Sequence, residues 1–236
     1  VVRFLPRDSA AHVAVVSWTG TAYRIVADAT DPVGEYGADG VIQVVVIGSG
    51  QVDAVRFEST ADAPWPAGID IDATIESATI ALDVDSPDAV TVAAPLELAG
   101  SVRTAGAQRY AAAVSLLADA RLEAGSGGVE FGGVLEAGGG LPSLTIHTAG
   151  PTRFLASVGT GSTFGPLVVS GAGTTTLGGP LRAADISLGA TLLAADLRVE
   201  AVSGDLAFGT VDATRAGLDL AVAAARLEDA PEFDAA

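Results

Sequence analysis

The chain has 236 residues and a formal net charge of −17, from 29 acids against 12 bases, all of them Arg. That balance argues against nucleic acid and against insertion into an anionic membrane, because both need a positive surface. Cys, Met, Lys and Asn are missing, which removes disulfides, thiol and Schiff-base chemistry, the P-loop lysine and N-glycosylation.

The sequence opens at Val1 without a signal pattern and reads as a processed form or a piece of something longer. Residues 1–66 hold the longer strand patterns, "HVAVVSW", "AYRIVAD", "GVIQVVVIG" and "AVRFES", with both Trp and two of the three Tyr. The apolar run 41–48 is far shorter than the ~18 residues that span a membrane and reads as a buried strand. "TADAPWPAG" (60–68) is the expected junction, so the chain divides into 1–66, a β-rich cap or irregular first coils, and 67–236, a repeat region.

From Ile69 onward, short strands of period two follow one another roughly every 8–15 residues, broken by Gly, Pro, Ser or Asp. They are 69–72, 79–85, 90–98, 113–116, 120–124, 129–133, 143–148, 152–156, 167–170, 174–177, 185–188, 197–201, 206–209 and 218–222. The alternation points Leu122, Val129, Phe131 and Val134 inward. "RYAAAVSLLADARLEA" (109–124) has helix-forming composition. Its copy at 187–201 contains Gly and Thr, so both read as β.

The copy is the strongest signal. Residues 116–134 and 193–211 share eleven identities over nineteen positions at a spacing of 77. Internal copies of this kind mark stacked repeats. Aromatics are only 5% of the chain, too few for propeller signatures, whereas four coils of about 20 residues fit the spacing. The expected fold is all-β: a right-handed parallel β-helix, or β-solenoid, with coils of roughly 18–24 residues. On this reading Phe131 and Phe208 occupy equivalent places four turns apart.

The stretch 104–154 resembles the β-strand repeats of filamentous-haemagglutinin-type bacterial surface proteins. The matching residues include Gly106, Ala107, Gln108, Tyr110, Asp119, Leu122, Phe131, Gly132, Leu144, Thr145, Thr148, Ala149, Gly150, Thr152 and Phe154. The resemblance is good over 104–225, faint over 69–103 and lacking over 1–68. It implies a secreted or cell-surface, non-enzymatic β-helix used for adhesion or matrix building. A glycan or host-surface target, and self-association through solenoid ends, go with that reading.

Four acids stand out as a metal candidate. Asp70 and Asp72, and Asp83 and Asp85, are i, i+2 pairs that each share a strand face. If the strands adjoin, the carboxylates crowd and a calcium ion would relieve them; the plainer reading is a solvated acidic face. No other cofactor is expected. His12 and His147 are the two histidines, the latter on an outer face or corner, and neither sits in metal-ligand spacing. "GTGSTFG" (159–165) misses the dinucleotide spacing.

Arg103, Arg109, Arg121, Arg153, Arg182, Arg198 and Arg215 fall in the repeat region, with Arg121–Glu123 and Arg198–Glu200 on single strand faces. They read as ladders of ion pairs between coils. The alternative function is a carbohydrate-active β-helix enzyme, polysaccharide lyase-like, acting on acidic glycans. Smooth walls favour the adhesin; a groove where Arg and two or more acids converge favours the enzyme.

Overall fold

The computed structural model describes residues 1–4, 13–27, 31–48, 53–214 and 218–227. His12, Arg215 and the tail beyond Leu227 lie outside these. Twenty-five strands and no helix make up the described residues.

The first strands are β1 (Val2–Phe4), β2 (Val13–Trp18), β3 (Ala22–Ala27), β4 (Asp31–Gly37), β5 (Gln43–Val46) and β6 (Ala54–Ser59). Next come β7 (Gly68–Ile71), β8 (Ser77–Ala81), β9 (Val84–Ser86), β10 (Val90–Val92), β11 (Leu96–Thr104), β12 (Gln108–Tyr110) and β13 (Val114–Ala124). The middle holds β14 (Val129–Phe131), β15 (Leu135–Ala137), β16 (Leu144–Thr148), β17 (Thr152–Phe154), β18 (Leu167–Gly171) and β19 (Thr175–Leu177). The last are β20 (Leu181–Ala183), β21 (Ile186–Leu188), β22 (Thr191–Leu193), β23 (Leu197–Phe208), β24 (Val211–Ala213) and β25 (Leu220–Leu227).

These strands form two long sheets. One has ten strands in the order β1-β5-β7-β10-β12-β14-β17-β19-β22-β24; the other has fifteen. Every pairing is parallel except β2 with β3 and β3 with β4. The chain therefore alternates between the sheets and climbs one ladder rung per circuit. The nine strands from β5 to β24 in the first sheet define eight turns of a parallel β-solenoid. One register column runs Val44, Ile69, Val90, Gln108, Val129, Thr152, Thr175, Thr191, Val211, so the turns take between 16 and 25 residues. That range is wider than the sequence suggested.

Residues 1–66 join the same ladders. β1 pairs with β5 and β2 with β6, both parallel, while β3 and β4 add antiparallel strands to the end of the fifteen-stranded sheet. The ladders cross the expected junction at 60–68, where β5 and β6 pair with β7 and β8 and Trp65 bridges Val84. Trp18, Tyr23, Trp65 and Phe57 fill this end of the core through ring contacts of 4.8–5.2 Å. Burial pushes the Tyr23 hydroxyl up to about 12.

The core is a set of inward columns. Val46, Ile71, Val92, Tyr110, Phe131, Phe154, Leu177 and Leu193 stack along the axis of the first sheet. Within that column Tyr110, Phe131 and Phe154 lie ring on ring, with centroids 5.1 and 5.5 Å apart and planes 20° and 6° apart. Parallel stacking sets like residues one above another, which is why the column holds similar shapes.

Two sequence expectations are corrected here. Phe131 does sit in the core, but its equivalent four turns on is Ala213, and Phe208 belongs to the other sheet, opposite Leu188. The residue four turns above Leu122 is Phe208, 86 positions later, so the 77-residue copy is out of step with the coils. Val134 is exposed rather than inward, because it stands at the corner between β14 and β15, where period two does not carry through.

Candidate functional site

The second half of the fifteen-stranded sheet, where β9, β11, β13 and β16 stack, carries the most concentrated chemistry. Val84, Val102, Leu122 and Ile146 point into the core along these strands, as do the buried Ser86, Thr104 and Thr148 two residues on. The residues between them must therefore face out. They are Asp85, Arg103, Glu123 and His147, in register one above another.

Each inward hydroxyl fixes the corner that follows its strand. Ser86 Oγ accepts from the Asp88 N–H (3.1 Å), Thr104 Oγ1 donates to the Gly106 carbonyl (2.9 Å), and Thr148 Oγ1 accepts from the Gly150 N–H (3.0 Å) while donating to the Gly125 carbonyl one coil earlier (3.1 Å). Behind them lies Gln108, fully buried. Its Nε2 donates to the Val102 carbonyl (2.9 Å) and the Glu123 carbonyl (2.8 Å), and its Oε1 accepts from the Tyr110 hydroxyl (3.2 Å). One buried amide thus ties β11 and β13 together directly beneath the outward row.

Over this row runs a recess of about 510 Å³, open to solvent. Asp85, Arg103, Glu123 and His147 line it, together with Pro87, Ala105 and Gly125 at the corners that follow the strands. A smaller recess of about 280 Å³ adjoins it, sharing Asp85, Arg103 and Glu123 and adding Asp83 and Arg121.

Ion pairs order the row. Glu123 takes a hydrogen bond from Arg121 on Oε1, and its Oε2 lies 3.6 Å from Arg103 Nε. That hydrogen bond, with the positive charges of Arg121 and Arg103, holds the Glu123 carboxyl below the usual range. Arg103 also lies 4.0 Å from Asp85. Both Arg103 distances exceed hydrogen-bonding length, so its attraction to these acids is purely coulombic. His147 Nδ1 lies 3.1 Å from Ser170 Oγ. Similar ladders occur elsewhere, with Arg109 and Arg153 flanking Glu130 at 3.2 and 3.8 Å, and Arg182 and Arg198 near Glu200 at 4.0 and 3.2 Å. All these guanidiniums are well exposed, so each pair contributes about 0–1 kcal/mol.

The four acids singled out for calcium are divided between the sheets. Asp70 lies on β7 of the first sheet with Asp72 just beyond it, whereas Asp83 and Asp85 flank the start of β9 in the other. Within the first pair, partial burial and the neighbouring Asp72 charge raise the Asp70 carboxyl. Asp72 is lowered by hydrogen bonds from the Thr74 hydroxyl (2.7 Å) and backbone N–H (2.8 Å). Asp83 Oδ1 accepts from the Ser101 N–H at 2.8 Å. Among the described residues no three His, Cys, Asp or Glu side chains are grouped to hold a metal ion.

The sequence placed His147 on an outer face and paired Arg121 with Glu123, and the structure agrees. It did not align Asp85, Arg103, Glu123 and His147, because coil lengths differ from turn to turn and the register cannot be counted from a fixed period. Comparison with family models, curated proteins and solved structures found no match to this chain.

Proposed function

We propose that this chain is a structural, non-enzymatic β-solenoid segment of a bacterial cell-surface adhesin or extracellular filament. The observation that carries the reading is the continuous stack: two sheets of ten and fifteen strands share one core, so the chain is a stiff rod. Its cell-surface location rests on the resemblance of 104–154 to the haemagglutinin-type repeats. The rod assembles end to end. β1 and β4 finish the sheets at one end of the described residues, and β24 and β25 stand at the other. A sheet edge is a template for further strands, and contact between unlike ends propagates without closing. Electron microscopy and light scattering over a concentration series test this. Fibres, or a mass that grows with concentration, are expected; a strict monomer at high concentration rejects end-to-end assembly.

The recess supports a second reading, a carbohydrate-active β-helix enzyme acting on acidic glycans. Two Arg and two acids, Arg103, Arg121, Asp85 and Glu123, meet in its smaller adjoining part. Incubation with polygalacturonate and alginate, followed by ultraviolet detection of unsaturated uronates, tests it. Product that is lost in Arg103→Ala favours the enzyme, and no product rejects the lyase.

A further inference from the structure

We infer that the recess over β9, β11, β13 and β16 binds an uncharged, hydroxyl-rich oligosaccharide lying along the solenoid axis. The inference holds whether or not the rods assemble, and it competes with the acidic-glycan enzyme reading of the same recess.

Shape sets the direction of the ligand. Asp85, Arg103, Glu123 and His147 repeat once per coil, and neighbouring strands lie about 4.8 Å apart. The row is therefore roughly 14 Å long, and its spacing is close to the advance of one sugar unit in an extended glycan. A tri- or tetrasaccharide fills that length with one sugar over each rung.

Chemistry sets its class. A pyranose has hydroxyls around its rim and C–H groups on its faces. The recess offers both: the charged row lines it, and so do Pro87, Ala105 and Gly125 at the corners, which have no side-chain polar atoms. The corners are closely packed, since a Cβ on Gly125 would collide with the Ala105 carbonyl oxygen. Glu123 has one oxygen engaged by Arg121 and offers the other as an acceptor. Arg103, held at 3.6 and 4.0 Å from its two acids, can turn its N–H groups to a sugar oxygen without losing a hydrogen bond to either. Charge-assisted hydrogen bonds of this sort are the strong ones.

Charge selects against acidic sugars. The two recesses hold three carboxylates, Asp83, Asp85 and Glu123, against two guanidiniums, Arg103 and Arg121. The whole chain adds its charge of −17. A uronate at Arg103 would meet Asp85 and Glu123 within a few ångströms, whereas a neutral hydroxyl gains from both signs.

The test is calorimetric titration of the full chain with uncharged hexasaccharides (β-1,4-glucan, β-1,4-xylan, β-1,4-mannan and α-1,4-glucan) and with hexagalacturonate. Saturable binding of at least one uncharged hexasaccharide is expected, with little dependence on salt. Arg103→Ala and Glu123→Gln should each weaken it about tenfold or more, the usual effect of losing a hydrogen bond to a charged group. Arg153→Ala, in a ladder on the other sheet, should leave it unchanged, and circular dichroism checks that each variant is folded. Three results would overturn the inference: no uncharged sugar binds, the Arg103 and Glu123 variants bind as the parent does, or hexagalacturonate binds more tightly than every neutral sugar.

Discussion

Gln108 is the buried polar side chain with the most to lose. Replacement by Leu would keep most of the volume and strip hydrogen-bond partners from the Val102 and Glu123 carbonyls and the Tyr110 hydroxyl. The Tyr110 hydroxyl left unpaired costs about 1–3 kcal/mol and each lost amide–carbonyl bond about 1 more, so Gln108→Leu should destabilise the chain by about 3 kcal/mol or more in urea melts. Phe131→Ala should cost a similar ~3–5 kcal/mol, because it opens a gap between two stacked rings. Phe208→Ala should cost well under half of that. Phe208 is only partly buried and stands beyond Leu206–Leu227, the last rung between β23 and β25. Equal losses at the two Phe positions would restore the equivalence that the sequence copy suggests. Burial at Leu122, Val129 and Phe131 was legible from alternation within single strands. The partnership of Phe131 with Tyr110 and Phe154 was not, because it depends on coil lengths of 21 and 23 residues that no local pattern encodes.

At the scale of the element, the strands bend, and acids hold bends and corners. Asp83, Asp119, Asp185 and Asp196 each accept a backbone N–H from the next coil, from Ser101, Ser143, Asp205 and Asp219 respectively, at 2.8–2.9 Å. Part of the acidic excess is therefore structural, a role that composition alone reads as a solvated face. The hydrogen bonds from Ser143 hold the Asp119 carboxyl below its ordinary range. A carboxylate whose folded pKa is depressed stabilises the fold above its unfolded pKa, and that contribution is lost as pH falls through the folded value. Asp72 and Glu123 act in the same sense, and Asp70, which is raised, opposes them. Melting temperature should therefore fall as pH drops through and below the carboxylate range. Asp119→Ala should melt lower than the parent at neutral pH and approach it in acid. A constant difference between the two across pH would show that the bend owes nothing to the charge. Most of the longer strands were visible as period-two runs, and "AVSL" and "ARLEA" turn out to be the two arms of one bent strand, β13. β12, β15, β20, β22 and β24 were left unmarked; each has only three residues, too few for alternation alone to decide, although β14, β17, β19 and β21 are as short and were marked.

The whole molecule behaves as a one-dimensional stack, in which each coil is held by its two neighbours. Coils in the middle have a rung on both sides; among the described residues, those at the ends have one. Val222 on β25 is 37% exposed, whereas Val199, its partner one coil earlier, is fully buried. Opening should therefore begin at the ends, and amide exchange should be slowest in the central strands β10 to β19 and fastest in β24 and β25. The proposed end-to-end assembly would add a second, concentration-dependent term, because docking of one rod on another would supply the missing rung. Exchange at β24 and β25, and at β1 and β4, should then slow as protein concentration rises, while the central strands stay unchanged. Salt should strengthen the effect, since two chains that each carry a charge of −17 repel each other less when screened. Hydrogen–deuterium exchange read by mass spectrometry at two concentrations and two ionic strengths separates these terms. Protection at the ends that is independent of concentration would mean that the rods stay single. A uniform rise over the whole chain would instead point to contact along the side walls, where the ion-pair ladders and the recess lie.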